Sequence, residues 1–114
     1  MRTFLLLSSF IPLSQLLACG PDCQSTCSTI YEPSQCGIER PGQTEQESMR
    51  RCMEECGLAL SKPGVARDDY NPNDQSPRSE TPELKNDQEV ALWMDCVANT
   101  ACENLEKNYC APIW

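Results

Sequence analysis

The chain has 114 residues, with 9 basic and 17 acidic side chains, a formal net charge of −8 and no histidine. Because the acidic residues are spread along the chain and no basic cluster accompanies them, binding to nucleic acid or to an anionic lipid surface is not expected. The commonest general base is missing, and no nucleophile elbow, phosphate-binding loop or zinc-protease motif occurs. We therefore expect neither an enzyme nor a bound cofactor.

Residues 1–18 form an apolar leader with a positive start at Arg2. The apolar stretch is shorter than the about 20 residues of a transmembrane helix and is typical of a signal peptide. It closes on LLAC at residues 16–19, which resembles the lipobox of bacterial lipoproteins. The resemblance implies that Cys19 carries fatty acyl chains such as palmitate and becomes the first residue of the mature chain.

The position after the lipobox bears on the destination of the protein. In the lipoproteins that the leader resembles, an Asp there often retains the protein in the inner membrane, so Gly20 favours the outer membrane. The alternative is an ordinary secretory signal, because Ala18 also suits that cleavage, with Cys19 left as a free or intermolecularly paired thiol. Either way, residues 19–114 are predicted to form a single cysteine-rich domain.

The cysteine count favours the lipidated form. The chain has nine cysteines, an odd number for an exported protein. A domain this small has a marginal core and commonly needs disulfides, which persist in the periplasm and outside the cell. If Cys19 carries lipid, the remainder is even and can close as four bridges: Cys23, Cys27, Cys36, Cys52, Cys56, Cys96, Cys102 and Cys110.

Two helices are predicted in the first half of the domain. Asp22 can cap a helix that ends before Pro33, with Cys23 and Cys27 on one face. After a loop at 32–43, a capping box starting at Thr44 begins the clearest helix, 44–60. Its inner stripe is predicted to contain Met49, Cys52, Met53, Cys56 and Leu60.

The second half opens with a polar, proline-containing loop at 61–82, which lacks cysteines and almost all apolar side chains and is predicted to be mobile. Asn86 and Glu89 then predict a weaker capping box at the start of a helix over 86–99. A short helix follows at roughly 100–107 with Cys102 and Leu105 inward. The apolar stripe of the third helix is Val90, Trp93, Met94 and Val97, flanked by Leu92 and Cys96. Trp114, at the end of an extended tail, is expected to pack against the domain.

The cysteine spacing predicts how the first two helices are joined. A spacing of four places both sulfurs of each C-x-x-x-C pair on one helix face. Antiparallel packing then predicts bridges Cys23–Cys56 and Cys27–Cys52. This twin pattern resembles the helical hairpin of the small mitochondrial Tim chaperones, and the resemblance is limited to the two bridges between the helices.

For the other four cysteines, Cys36–Cys96 with Cys102–Cys110 is our prediction, and Cys36–Cys102 with Cys96–Cys110 is the alternative.

Metal binding is not expected. An exported protein oxidises paired cysteines more often than it binds zinc through them. The acidic loop at 68–74 lacks the glycine and the closing glutamate of an EF-hand.

The overall pattern is similar to that of small cysteine-rich lipoproteins of myxobacteria and related predatory delta-class bacteria. We therefore predict an all-α, disulfide-stapled bundle comprising the antiparallel hairpin, a third helix and a short C-terminal helix. The predicted function is that of a non-catalytic, lipid-anchored protein of the cell envelope, structural or binding an unknown envelope protein. The alternative is a soluble, secreted binding or inhibitory protein.

Overall fold

Four helices make up the regular secondary structure of the part of the chain that this computed structural model describes, residues 22–74 and 81–114. Within those ranges no strand occurs. In chain order the helices are α1 Cys23–Tyr31, α2 Glu45–Leu60, α3 Asp87–Ala98 and α4 Cys102–Glu106. The predicted all-α fold, with its hairpin, third helix and short C-terminal helix, is confirmed.

Short polar residues set the helix starts. Asp22 Oδ1 accepts a hydrogen bond from the Ser25 amide at 2.7 Å, and Ser25 Oγ accepts from the Asp22 amide at 3.0 Å. This reciprocal pair is a capping box. Thr44 Oγ1 accepts from the Glu47 amide at 3.2 Å at the start of α2. The first three helices therefore begin within one residue of their predicted starts.

Helices α1, α2 and α3 pack against one another around Trp93, which is fully buried on α3. The predicted stripe of α3 is buried, but Leu92 is 45% exposed and is not part of that face. On α2, Leu60 is likewise 47% exposed, and Ala59 takes the inner position instead. The bridges at Cys52 and Cys56 determine which face of α2 turns towards α1, and this face includes Ala59. Successive residues of a helix point about 100° apart, so Leu60 points away from that face.

The C-terminal segment covers the core. Trp93 Nε1 donates to the Pro112 carbonyl at 2.9 Å, and the Trp93 and Trp114 rings meet edge to face with centroids 5.5 Å apart. The Tyr31 hydroxyl donates to the main-chain oxygen of Trp114. The expected packing of Trp114 against the domain is confirmed. In α4, Leu105 is buried as predicted, whereas Cys102 is exposed.

Candidate functional site: the disulfide framework and its surroundings

Two bridges join α1 to α2. Cys23 is bonded to Cys56 with a Cα–Cα distance of 5.8 Å, and Cys27 to Cys52 with a distance of 5.9 Å. Both distances lie within the usual range for disulfides. The first cysteine of one helix pairs with the last of the other, as antiparallel packing of two C-x-x-x-C helices requires.

The other two bridges correct our prediction. The structure pairs Cys36 with Cys102 and Cys96 with Cys110, not Cys36 with Cys96 and Cys102 with Cys110. The reason is the course of the chain after α4. The Cys110 amide donates to the carbonyl of Pro72 at 2.6 Å, and the residues that follow pack over Trp93, so that Cys110 lies beside Cys96. Cys102, at the start of α4, then faces the loop that carries Cys36.

The loop after α2 is held by a charged pair that the sequence analysis missed. Glu89 is fully buried, and its carboxylate accepts from Arg67 Nε at 2.9 Å, from Arg67 Nη2 at 3.0 Å and from the Arg67 amide at 3.0 Å. The Lys85 amide donates to the same carboxylate at 3.0 Å. The sequence predicts a capping box between Asn86 and Glu89. The Glu89 amide does donate to Asn86, but the Glu89 carboxylate binds the loop and not the Asn86 amide.

Burial would raise the pKa of Glu89, but the hydrogen bonds from the Arg67 side chain, the Arg67 amide and the Lys85 amide, together with the guanidinium charge, outweigh burial and lower it. The bond to Glu89 in turn raises the pKa of Arg67. Glu89 lies four residues before Trp93, on the buried stripe of α3. A carboxylate at such a position is the one sequence signal that points to a buried ion pair.

Tyr70 fixes the same loop further along. Its ring is buried, and its hydroxyl donates to the Ala111 carbonyl at 3.2 Å. Our reason for expecting a mobile loop, a lack of burial, therefore does not hold at Tyr70 and Pro72, which are both buried. Residues 75–80 lie outside the described residues, and mobility of the 61–82 loop stays a prediction.

A polar cavity of about 490 Å³ opens beside the C-terminal segment; we call it the Arg40 groove. Arg40 Nη2 donates to Asn108 Oδ1 at 2.9 Å and to the Ile113 carbonyl at 3.2 Å. Asn108 adopts a left-handed backbone with φ of +67°, which asparagine tolerates better than most residues. Arg51 and the partly buried Trp114 also line the groove. Arg40 and Asn108 are 68 residues apart, so no local pattern reveals this contact.

The groove mixes guanidinium and carboxylate groups. Glu55 and Glu83 line it as well. Lys85 Nζ pairs with Glu83 at 2.7 Å, and this hydrogen bond lowers the pKa of the Glu83 carboxyl. Nearby, burial raises the pKa of Tyr31 to about 12, although the charges of Arg40 and Arg51 act in the opposite direction.

Within residues 22–74 and 81–114, no three His, Cys, Asp or Glu side chains are grouped so that they could hold a metal ion. No helix in these two ranges is long and apolar enough to cross a membrane. The eight cysteines of the described chain are all in disulfides, which indicate an oxidising, extracytoplasmic environment. Cys19 lies outside the described residues.

The chain matches no protein family model, no curated protein and no solved structure. Its function is therefore inferred from its own residues.

Proposed function

We propose that the protein is a non-catalytic module of the bacterial cell envelope, anchored by lipid at Cys19, that supports or binds an envelope partner. The observation that carries the proposal is the distribution of the cysteines. The four bridges use eight of the nine cysteines, and the one left over is the cysteine of the lipobox-like LLAC sequence. Lipidation requires a free cysteine thiol at that place.

Other features support this assignment. The disulfide framework fits an exported protein, and Gly20 after the cleavage position favours the outer membrane. Each CH₂ of an acyl chain that is buried in the bilayer contributes about 0.8 kcal/mol of binding free energy. A single acyl chain therefore anchors a protein only marginally, whereas two or more chains give stable attachment. We also propose that the protein is one of the small cysteine-rich lipoproteins of myxobacteria and related bacteria.

Metabolic labelling tests the anchor. Cells expressing the full chain are grown with labelled palmitate, and we expect label in the wild type and none in Cys19→Ser. Cys102→Ser is the matched control, because it removes an exposed bridge cysteine and leaves the leader intact. Mass spectrometry should find Cys19 as the lipidated N-terminus. An unmodified N-terminus, or a free Cys19 thiol, would instead support the alternative, a soluble secreted binding or inhibitory protein.

We assign partner binding to the Arg40 groove. Arg and Trp side chains are enriched among the residues that contribute most to protein interfaces, and the groove presents Arg51 and Trp114 together. The side chains of Arg40 and Asn108 are already fixed by hydrogen bonds to neighbouring groups. Prior ordering of this kind reduces the entropy lost on binding.

A pair of neighbouring arginines on α2 makes a sharp test of the groove. Arg51 lines it, whereas Arg50 does not and instead pairs with Glu54 on the exposed surface. The oxidised, delipidated domain is used to capture proteins from envelope extract. We expect wild type and Arg50→Glu to retain the same captured protein and Arg51→Glu to lose it. Equal retention by both variants would show that binding uses another surface.

A further inference from the structure

The four bridges differ sharply in how far solvent reaches them. The cysteines of three bridges are buried, with exposures of 9% or less: Cys23, Cys27, Cys52, Cys56, Cys96 and Cys110. In the remaining bridge, Cys36 is partly buried and Cys102 is exposed. Thiol–disulfide exchange needs direct approach of a thiolate to a sulfur. Among the bridges of the described chain, Cys36–Cys102 alone contains an exposed cysteine residue, so a thiolate reaches it with the least opening of the structure.

The same bridge has a particular place in the covalent framework. Bridges Cys23–Cys56 and Cys27–Cys52 close within the α1–α2 hairpin, and Cys96–Cys110 closes within the C-terminal part. Cys36–Cys102 is the bridge that joins these two parts, across 66 residues of sequence. Its reduction would leave two internally bridged units whose only covalent connection is the main chain.

The two sides of this bridge are held differently. The loop that carries Cys36 is tied to α1, because the Cys36 amide donates to the Thr29 carbonyl at 3.0 Å and the Ile38 amide donates to the Ile30 carbonyl at 2.9 Å. Helix α4 is five residues long and has no side-chain cap at Ala101. Opening the bridge would therefore release the start of α4 more than the Cys36 loop, while the buried Leu105 still holds the end of the helix.

We propose that the Cys36–Cys102 bridge is a site of thiol–disulfide exchange with an extracytoplasmic dithiol oxidoreductase, and that Cys102 is the sulfur attacked. The incoming thiolate bonds to Cys102 Sγ, the Cys36–Cys102 bond breaks, and Cys36 leaves as a thiolate. The second thiol of the reductant then attacks the reductant's first sulfur, which is bonded to Cys102 in the mixed disulfide, and Cys102 leaves as a thiolate. In sum, the bridge takes up two electrons and two protons to give two thiols, and the dithiol becomes a disulfide.

Timed reduction with dithiothreitol tests the proposal. The oxidised mature chain, with Cys19 lipidated or replaced by Ser so that no free thiol is present, is sampled, acid-quenched, alkylated and mapped by mass spectrometry. We expect Cys36 and Cys102 to be labelled at least about tenfold faster than the other six cysteines, because buried sulfurs become accessible only when the structure opens. Equal labelling of all eight, or faster labelling of another bridge, would overturn the proposal.

A trapping experiment identifies the attacked sulfur. A dithiol oxidoreductase that lacks its resolving cysteine forms a stable mixed disulfide with its target. We expect the cross-link at Cys102. A cross-link at Cys36 would refute the assignment of the attacked sulfur, and one at a buried cysteine would refute the site.

A double variant distinguishes an exchange site from a purely structural bridge. Cys36→Ala/Cys102→Ala should keep its helical circular dichroism and its three remaining bridges, and faster amide exchange should be confined to α4 and its flanks. Cys96→Ala/Cys110→Ala is the control that removes a buried bridge and should disturb the packing of Trp93. Failure of the first variant to fold would show that the protein cannot tolerate an open Cys36–Cys102 bridge, and would overturn the proposal.

Discussion

At the scale of single residues, Glu89 connects the polar loop to the core. A buried carboxylate is stabilising only when its oxygens are paired. Here Arg67 and the Lys85 amide supply the partners. Together with Tyr70 and Asn86, this side chain explains how a loop almost without apolar residues is held in place.

Replacing Glu89 by Gln should destabilise the protein by about 1–3 kcal/mol, because hydrogen bonds to a charged group are lost and a donor amide faces other donors. The free energy of unfolding in urea measures this. Glu54→Gln is the control, since Glu54 and Arg50 are both more than half exposed, and exposed pairs contribute about 0–1 kcal/mol. Equal losses in the two variants would contradict a special role for Glu89.

The ion pair should also give the stability a dependence on acid pH. Because the pKa of Glu89 is lowered in the folded state, its contribution is fully present above the ordinary value of 4.5 and is lost as the pH falls through the folded value. The difference in unfolding free energy between wild type and Glu89→Gln should therefore narrow as the pH is lowered below about 4.5. A constant difference across that range would argue against the mechanism.

Tyr31 should act at the opposite end of the pH scale. Its pKa is raised from 10.0 to about 12, so its stabilising contribution is present below pH 10 and is lost as the pH rises through about 12. Ultraviolet absorbance of the phenolate follows the titration. We expect the step near pH 12 to disappear in Tyr31→Phe. Its persistence in that variant would assign the step to another tyrosine.

At the scale of secondary-structure elements, the N-caps were predictable because they depend on residues three positions apart. The tertiary structure adds a second role for one of them. Asn86 Oδ1 accepts from the Glu89 amide at 3.0 Å, and its Nδ2 also donates to the Val65 carbonyl at 2.9 Å. The cap of α3 is thus also a link to the loop after α2.

This double role predicts an order of stabilities. Thr44→Ala removes a single capping bond and should cost about 1 kcal/mol. Asn86→Ala should cost more, because Asn86 is buried and the Val65 carbonyl loses its partner as well. Thermal or urea unfolding of the two variants gives the comparison. A larger loss in Thr44→Ala would mean that the contact with Val65 is unimportant.

At the scale of the whole molecule, one bridge determines how the two halves stay together after cleavage. Cys36–Cys102 spans the 61–82 loop. Arg67 is bound to Glu89, so we expect trypsin to cut after Arg78 in preference to Arg67. The products should remain one band on a non-reducing denaturing gel and separate on reduction.

The double variant Cys36→Ala/Cys102→Ala gives the corresponding control. After the same cut its fragments should separate without reductant. Separation of the wild-type fragments without reductant would be incompatible with the bridge, and a first cut after Arg67 would be incompatible with its pairing to Glu89.

The sequence by itself determined the helices, their starts and the pairing of the hairpin. Caps and C-x-x-x-C spacing are local, and two helices joined by a short loop have few ways to pack. The leader and the odd cysteine count also predict the anchor at Cys19, which stays a prediction.

The tertiary structure alone decided the remaining bridges, the burial of Glu89 and the Arg40 groove. Each depends on residues that are distant in sequence, such as Arg40 and Asn108 or Cys36 and Cys102. Helical periodicity predicts which residues share a face, but it does not predict which distant segment covers that face. That choice was made by the packing of the C-terminal segment over Trp93, which placed Cys110 beside Cys96 and left Cys102 for Cys36.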